Sequence, residues 1–496
     1  MTRTFIQPDL DVASVVARLV KEGFEVDEPV TVRRVVLDTF DGRLHRAGLC
    51  LEVLSEDERA LEITSTGGSP PARVPWTRPA PTTSADLPSG PFGARLAPLV
   101  GERALLAVLD VTSEERVARR RDGRGKTVVG AVLHSGIVVD GGEAADPAAV
   151  PPWMLVVEGV HGHDADLERA LARLAKSGLC GQDADGRAVL ARALGRSLAG
   201  RESSPTVPLD PGEDALVAVR AVLANLANTI VANLPGTLAD LDPEFLHELR
   251  VAIRRTRSVL AESKGVVPKG VRAEYREQFR GLGAITGRTR DLDVYVMGWD
   301  DLVAPLQLDD DAAAVAPVLA TLERHRKRAH REMAKALDAP RTRDLLARWQ
   351  AWLAEPGDVD AVGPIGPVVA ERTARAQQVL LEAGRAIDAG SPAEDLHDLR
   401  KDAKVLRYLL ECFGGLFPAR ERKAFVSQLK ALQDNLGEHQ DTEVQLAELR
   451  AVAHDLHAAN AADTDALLTV GRIVDHLERR RQAARDEFAE RFAAYD

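Results

Sequence analysis

The sequence predicts an α+β protein of two units: a mainly antiparallel β unit with a few helices, then an all-α unit made of two homologous halves. Three observations carry this prediction. Short β-branched runs broken by Gly, Pro and Asp occupy the N-terminal part. A connector, Gly200 to Asp214 (GRESSPTVPLDPGED), holds three prolines and two glycines and marks a boundary between separately folding units. Beyond it nearly every segment has helical period, and segments recur at a fixed offset of 150 residues.

Composition sets the outer limits. With 496 residues the chain exceeds one ordinary core, and 45% hydrophobic against 28% charged residues describes a globular protein rather than a disordered one. Aromatics, at 4%, are too sparse for a base-stacking surface. The start, MTRTFIQPDLDVASVVARLV, has no apolar signal core, and nowhere do 18 apolar residues run together. These features lead to the expectation of a cytoplasmic protein with no membrane partner. Cys50, Cys180 and Cys412 are odd in number and widely spaced, which fits buried small hydrophobes better than a disulfide or zinc framework.

In order along the chain, DLDVASVVARLVKEG reads as a helix, and VTVRRVVLDT, LCLEVL, KTVVGAVLHSGIVVD and WMLVVEGV read as strands. After the connector, EDALVAVRAVLANLANTIVANL and AEYREQFRGLGAIT have helical period with short Pro or Gly punctuation. The repeat pairs HELRVAIRRTRSVL at His247 with HDLRKDAKVLRYLL at His397, and FRGLGAITGRTRDLDV at Phe279 with LKALQDNLGEHQDTEV at Leu429. It matches Gly287 with Gly437, Asp291 with Asp441, Val294 with Val444, Arg331 with Arg481 and Lys335 with Arg485. The expected organisation is a first domain over 1–199, a linker over 200–212, and a helical domain over 213–496 with halves at 213–354 and 366–496.

HELRVAIRRTRSVL gathers cations in a chain of formal net charge -12. On a helix, Arg250, Arg254 and Arg257 fall within about 80° of His247, while Leu249, Ala252, Ile253, Thr256 and Leu260 lie on the opposite side. His397, Arg400, Lys404 and Arg407 repeat the cationic stripe, and Leu399, Ala403, Leu406 and Leu410 repeat the apolar one. An ordinary solvated face mixes acid with base. Here both copies hold histidine and cations, with Glu248 and Asp398 off the stripe. Like charges at this spacing repel, so their presence in both copies points to an anion spanning several of them. Arg and Lys are phosphate-binding types, which makes the expected ligand polyanionic. Arg324, Arg331 and Lys335, with Arg481 and Arg485 matching Arg331 and Lys335, form further basic runs expected to contact the same anion.

These paired motifs, each followed by Gly-x-x-x-Asp (GRTRD, GEHQD), resemble the CHAD family, the conserved-histidine α-helical domain, over about residues 213 to 496. The resemblance implies two pseudo-symmetric four-helix bundles whose basic helices line a groove or pore that binds inorganic polyphosphate. By motif position it implies binding residues His247, Arg250, Arg254 and Arg257, with His397, Arg400, Lys404 and Arg407. Asp291 and Asp441 are expected to cap the next helix rather than to touch an anion. Location on polyphosphate granules is a further implication.

VVLDTFDGRLHRAGLCLEVL resembles the strand and turn signature of the CYTH family, the triphosphate tunnel fold, over about residues 1 to 200. Active members hydrolyse triphosphates or cyclise ATP with a divalent metal, Mg²⁺ or Mn²⁺, held by Glu-x-Glu-x-Lys on the first strand. TRTFIQPD has no carboxylate before Asp9, LCLEVL carries Glu52 and Leu54 where the family has Arg-x-Arg, ALEITS lacks a terminal lysine, and LVVEGV keeps only Glu158. The expected domain is therefore degenerate, with no catalytic residue, metal ligand or cofactor. Arg116, Arg119, Arg120, Arg121 and Lys126 read as a strand-edge charge cluster. Three function classes follow: a polyphosphate-binding protein, a metal-dependent triphosphatase with a substrate-recruiting helical domain, and a helical adaptor for acidic partners. Sequence-specific nucleic-acid binding is not expected, since no reading motif is found.

Overall fold

In the computed structural model, β-branched residues of the N-terminal part pair into one antiparallel sheet. All residues are described except 1, 7–8, 56–58, 66–70, 141–149, 180, 183–184, 202–205, 307–311, 356–361, 389 and 459–463. Cys180 and part of the Gly200–Asp214 connector lie outside the described residues. The chain divides into two units, Met1–Glu202 and Ser203–Asp496.

The first unit contains β1 (Thr2–Phe5), α1 (Val12–Lys21), β2 (Glu25–Val26), β3 (Val30–Thr39), α2 (Arg43–Arg46), β4 (Leu49–Ser55), β5 (Ala60–Ser65), β6 (Ala72–Pro75) and α3 (Pro91–Val100). It continues with β7 (Leu105–Arg121), β8 (Thr127–Val139), β9 (Trp153–Gly159), α4 (Asp164–Lys176), β10 (Gly181–Gln182) and α5 (Gly186–Ala193). The strand order is β10-β1-β9-β8-β7-β3-β4-β5-β6, with β2 added beside β7. Period-two burial sends Ala118, Val129, Leu133, Leu155 and Val157 against α1 and α4. Leu51, Val53, Leu61 and Ile63 pack instead against α2 and α3. Cys50 and Cys412 are half-buried rather than fully buried, and burial pushes both thiols up, that of Cys412 to about 12.

The second unit is all helical. Its elements are α6 (Ala215–Leu238), α7 (Pro243–Glu262), α8 (Lys269–Ile285), α9 (Gly287–Met297), α10 (Trp299–Val303), α11 (Ala312–Leu337) and α12 (Pro340–Ala354). They are followed by α13 (Ile365–Ala386), α14 (Ala393–Cys412), α15 (Ala419–Ala458) and α16 (Thr464–Ala493). Helices α6, α7 and α8 begin at Ala215, Pro243 and Lys269, and α13, α14 and α15 begin 150 residues later in each case. At the head of the two halves the Ala215 N–H donates to the Gly363 carbonyl at 2.8 Å, and the Ile365 N–H donates to the Glu213 carbonyl at 2.9 Å. Repeat-related residues thus exchange the same bond, which is the mark of a local pseudo-twofold axis.

The caps explain why helices start where they do. The Asp242 carboxylate accepts from the Glu244 and Phe245 N–H groups at 2.9 and 3.1 Å, and Pro243 takes the first helical position of α7. Asp214 does the same for α6 through Leu216 at 2.9 Å. With a mean hydropathy of 1.7 over its most apolar window, α6 is long and apolar enough to cross a membrane. Its Leu216, Val219, Val222, Leu223, Leu226 and Ile230 are instead buried in the core that α7, α8 and α12 share.

Candidate functional site

The amphipathic design of α7 and α14 decides which way their cations face. Leu249, Ala252, Ile253, Thr256 and Leu260 are buried, as are Leu399, Ala403, Leu406 and Leu410. His247, Arg250, Arg254 and Arg257, with His397, Arg400, Lys404 and Arg407, are all half-buried, so neither stripe is a fully solvated face. The two helices pack on each other, and Arg255 of α7 donates to Glu411 of α14 at 2.5 Å. Burial pushes the Lys404 ammonium down to about 7, and Arg400, Arg254 and Arg250 push it further in that direction against Asp441. Cations from both halves therefore act on one lysine. The two stripes lie beside each other.

Within the stripes the eight residues are held differently. Arg250 donates to the Gly283 carbonyl at 3.1 Å and to Thr286 Oγ1 at 2.9 Å, and its guanidinium is lowered to about 10 by burial and then by Arg254. Arg400 donates to Asp441 at 3.2 Å. Arg407 donates to Glu411 Oε1 at 2.6 Å and to Gln433 Oε1 at 3.1 Å. His397 Nδ1 is hydrogen-bonded to Gln440 Oε1. His247, Glu244 and Glu248 bring one potential ligand atom each within 4.8 Å of one another, a grouping that the motif reading had not assigned to any metal. Among the described residues neither Arg254 nor Lys404 has an ion-pair partner, and the Arg254 Nε is buried without a hydrogen bond. These two are repeat equivalents.

Helix continuity corrects the reading of the Gly-x-x-x-Asp motifs. Gly437 and Asp441 lie inside the unbroken α15, and Asp291 is inside α9, which follows α8 through an α-helical Thr286. Neither aspartate caps a helix. A Cβ at Gly287 would stand 3.6 Å from Arg250 Nη1, and one at Gly437 would stand 3.6 Å from Arg400 Nη2. These arginines therefore pass the neighbouring helix at ordinary contact distance from the glycines, and the aspartates sit one turn further on, beside the same arginines. The surrounding protein pushes the Asp291 carboxyl up against the pull of Arg250, and Asp441, its repeat partner, pushes it in the same direction.

Sequence reasoning missed Arg290 and its equivalent Gln440. Arg290 is half-buried, donates to the Pro243 carbonyl at 3.3 Å and is lowered by burial, while Gln440 holds His397. Their signal was present, since both fall at the same offset inside the repeated motif. The five remaining predicted residues do not join the stripes as closely. Arg324 is exposed and donates to Thr321 of its own helix at 2.8 Å; Arg331 and Lys335 are exposed on α11. Arg485 is tied to the Ser391 carbonyl ahead of α14; burial lowers the His439 imidazole, and Arg481 and Arg485 lower it further against Glu443. The charges that weigh most on Arg250, Arg257 and Lys404 come from α7, α8, α9, α14 and α15, not from α11 or α16.

In the first unit the sheet's charged side chains neutralise one another. Arg34 donates to Glu115 at 2.6 and 2.7 Å and to Glu52 at 3.4 Å, and Arg187 lies 3.6 Å from Glu52. Burial alone would raise the Glu115 carboxyl, but Arg34 and His134 hold it at about 2. Of the arginines expected at a strand edge, Arg119 is not at one, since β7 is flanked there by β2 and β8, and it pairs with Asp27 at 2.5 Å; Arg121, at the end of β7 and paired with β8 alone, meets Glu25 at 2.9 Å.

Solved structures resemble the helical unit. The CHAD domain from the plant Ricinus communis is 24% identical, covers 59% of this chain and 96% of its own, and superposes with a TM-score of 0.50, which shows a shared fold. PptA from Streptomyces chartreusis is 17% identical and covers 57% of this chain and 100% of its own at a TM-score of 0.45. A search of curated proteins finds no match. Residues 221–450 match the family model of the CHAD domain, so the second unit of this chain carries a CHAD domain.

Proposed function

We propose that the helical unit binds inorganic polyphosphate in the cleft between α7 and α14. The observation that supports this best is the pair Arg254 and Lys404: repeat-equivalent, half-buried cations that push on each other while no carboxylate pairs with either among the described residues. A structural ion pair is made with an acid at hand. The chain has 76 acidic residues, yet none of the described ones lies within ion-pair distance of these two. Fixed cations without counter-charge raise the free energy of the empty protein, and a polyanion lowers it by supplying several oxygens at once. Association with polyphosphate granules in the cytoplasm is part of the same reading.

The first unit is proposed as a degenerate CYTH-like scaffold. The first strand, TRTF, supplies no acid to hold a metal, and the buried Glu52 and Glu115 of the sheet are each engaged by arginine. The triphosphatase alternative, with Mg²⁺ or Mn²⁺ as its metal, is therefore not favoured, and neither a cofactor nor sequence-specific nucleic acid enters the proposal. The test is equilibrium binding of a long polyphosphate beside tripolyphosphate, ATP and duplex DNA at fixed salt. Tighter binding of the long chain than of all three is expected. Equal affinity for duplex DNA, or none for polyphosphate, refutes the proposal.

A further inference from the structure

The repeat makes the two halves of the cleft equivalent in sequence position, but the structure compensates their charges unequally. In half two, Arg400 has Asp441 and Arg407 has Glu411, so Lys404 alone of its three cations lacks an acid within ion-pair distance. In half one, Arg250, Arg254 and Arg257 all lack one among the described residues. The contrast is sharpest at the repeat pair Arg257 and Arg407. Where Glu411 and Gln433 hold Arg407, Arg257 faces more cations: burial lowers its guanidinium, and Arg276 and Arg280 of α8 lower it further against Glu277.

Those neighbours belong to a continuous row. Arg276, Arg280, Gly283 and Gly287 stand at i, i+4, i+7 and i+11, the spacing of one helix face. The glycine end lies under the α7 arginines, with a Cβ at Gly283 only 3.6 Å from Arg257 Nη1. The arginine end carries the cationic surface on from Arg257. Arg276 is exposed with no ion-pair partner among the described residues, and Arg280 is exposed and shares Glu277 at 2.6 Å. At the matching positions of α15 half two has Val426, Lys430, Gln433 and Gly437, so three cations become two; with Arg280 paired to Glu277 and Arg407 to Glu411, the unpaired ones fall from two to one among the described residues.

We infer that a polyphosphate chain held in the cleft leaves it over half one, along Arg257, Arg276 and Arg280 of α7 and α8, and not over half two. This rests on the polyphosphate reading above. It makes binding one-sided: the cleft between the two halves holds one stretch of the chain, and α8 takes the overhang. Short anions that fit within the cleft do not reach α8.

The experiment uses the full chain, a long polyphosphate of about one hundred phosphates, and tripolyphosphate. The double variant Arg276→Ala, Arg280→Ala changes exposed side chains on α8, and thermal unfolding confirms that it folds. Long-chain affinity should fall about tenfold at 0.1 M salt, and the log-log salt slope should flatten by about one to two, since each phosphate contact contributes about -0.7 to -0.9. Tripolyphosphate affinity should stay within about twofold, and so should long-chain affinity in the half-two counterpart Lys430→Ala. Loss of tripolyphosphate binding in the double variant, or an equal effect of Lys430→Ala, overturns the one-sided track. A double variant that binds the long chain like wild type also overturns it and leaves the polyphosphate reading standing. A wild-type protein that binds no polyphosphate removes both.

Discussion

Replacing Lys404 by methionine should stabilise the empty protein and weaken its hold on polyphosphate. In the fold the Lys404 ammonium is lowered from 10.5 to about 7, first by burial and then by the surrounding arginines. At 1.36 kcal/mol per tenfold shift this corresponds to about 5 kcal/mol at most, and the water that reaches a half-buried ammonium reduces it to roughly 2–4 kcal/mol. The unfolded chain binds a proton at Lys404 up to about pH 10.5, whereas the folded chain releases it near pH 7. Stability therefore rises with pH between those values, and the penalty of the charged lysine is fully present only below about pH 7. Methionine keeps the stem and deletes the charge. For a unit of about 290 residues, an unfolding entropy of about 2.1 cal/mol/K per residue converts 2–4 kcal/mol into a Tm rise of about 3–7 °C at pH 6, shrinking to nothing near pH 10.5. Thermal unfolding of both proteins from pH 6 to pH 10.5, with polyphosphate titrations at pH 6, measures this. A variant no more stable than wild type at pH 6 would show that Lys404 is ordinarily solvated, and the cleft argument would fail with it.

Three further outcomes follow from the same geometry. Arg254→Gln should weaken long polyphosphate by about 1–2 kcal/mol and reduce a salt slope near -4, the value for about six contacts, to near -3, as salt-dependent binding curves would reveal. With Mg²⁺ or Mn²⁺ present, the protein should release no phosphate from tripolyphosphate in a colorimetric assay; turnover abolished by Glu158→Ala would restore the enzyme reading. Gly236→Ala places a Cβ 2.4 Å from the Phe245 ring, so α6 and α7 must part, and the overpacking of about 1–3 kcal/mol should outweigh the gain of about 1 kcal/mol in helix propensity. Denaturant titration should show the variant to be the less stable protein.

The parts of the fold that could be read from sequence are those fixed by local pattern. Strand β3 spans Val30–Thr39, the residues of VTVRRVVLDT, because a run rich in β-branched residues that follows Pro29 and ends near Asp41–Gly42 has few other choices. The apolar faces of α7 and α14 are buried as the wheel predicts, since period alone decides which side meets the core. Strand β7 is long but has no readable local pattern, because its inner half carries Asp110, Ser113, Glu114 and Glu115 in the run LDVTSEER, and the buried Glu115 is stabilised by Arg34 of β3 and His134 of β8, neighbours in the sheet that no local window contains. The GEHQD segment was misread for a related reason. Glycine before an acidic residue signals a turn in isolation, whereas inside α15 it records the approach of Arg400, a contact between residues 37 apart that no local window contains.

The site itself divides along the same line. Stripe membership is a local property, and the repeat showed it twice. Compensation is a tertiary property: whether a cation in the stripe is spoken for depends on acids contributed by other turns and helices, such as Asp441 for Arg400 and Glu411 for Arg407. A net charge of -12 makes this distinction the important one, because acids are abundant enough to pair every arginine in the cleft. At physiological salt the screening length is about 8 Å, so the distant acids contribute little to the field that an anion meets inside the cleft. What remains is the local balance, and it is positive around Arg250, Arg254, Arg257 and Lys404. On the proposed reading, this local surplus of positive charge, and not the net charge of the chain, sets where a polyanion would bind.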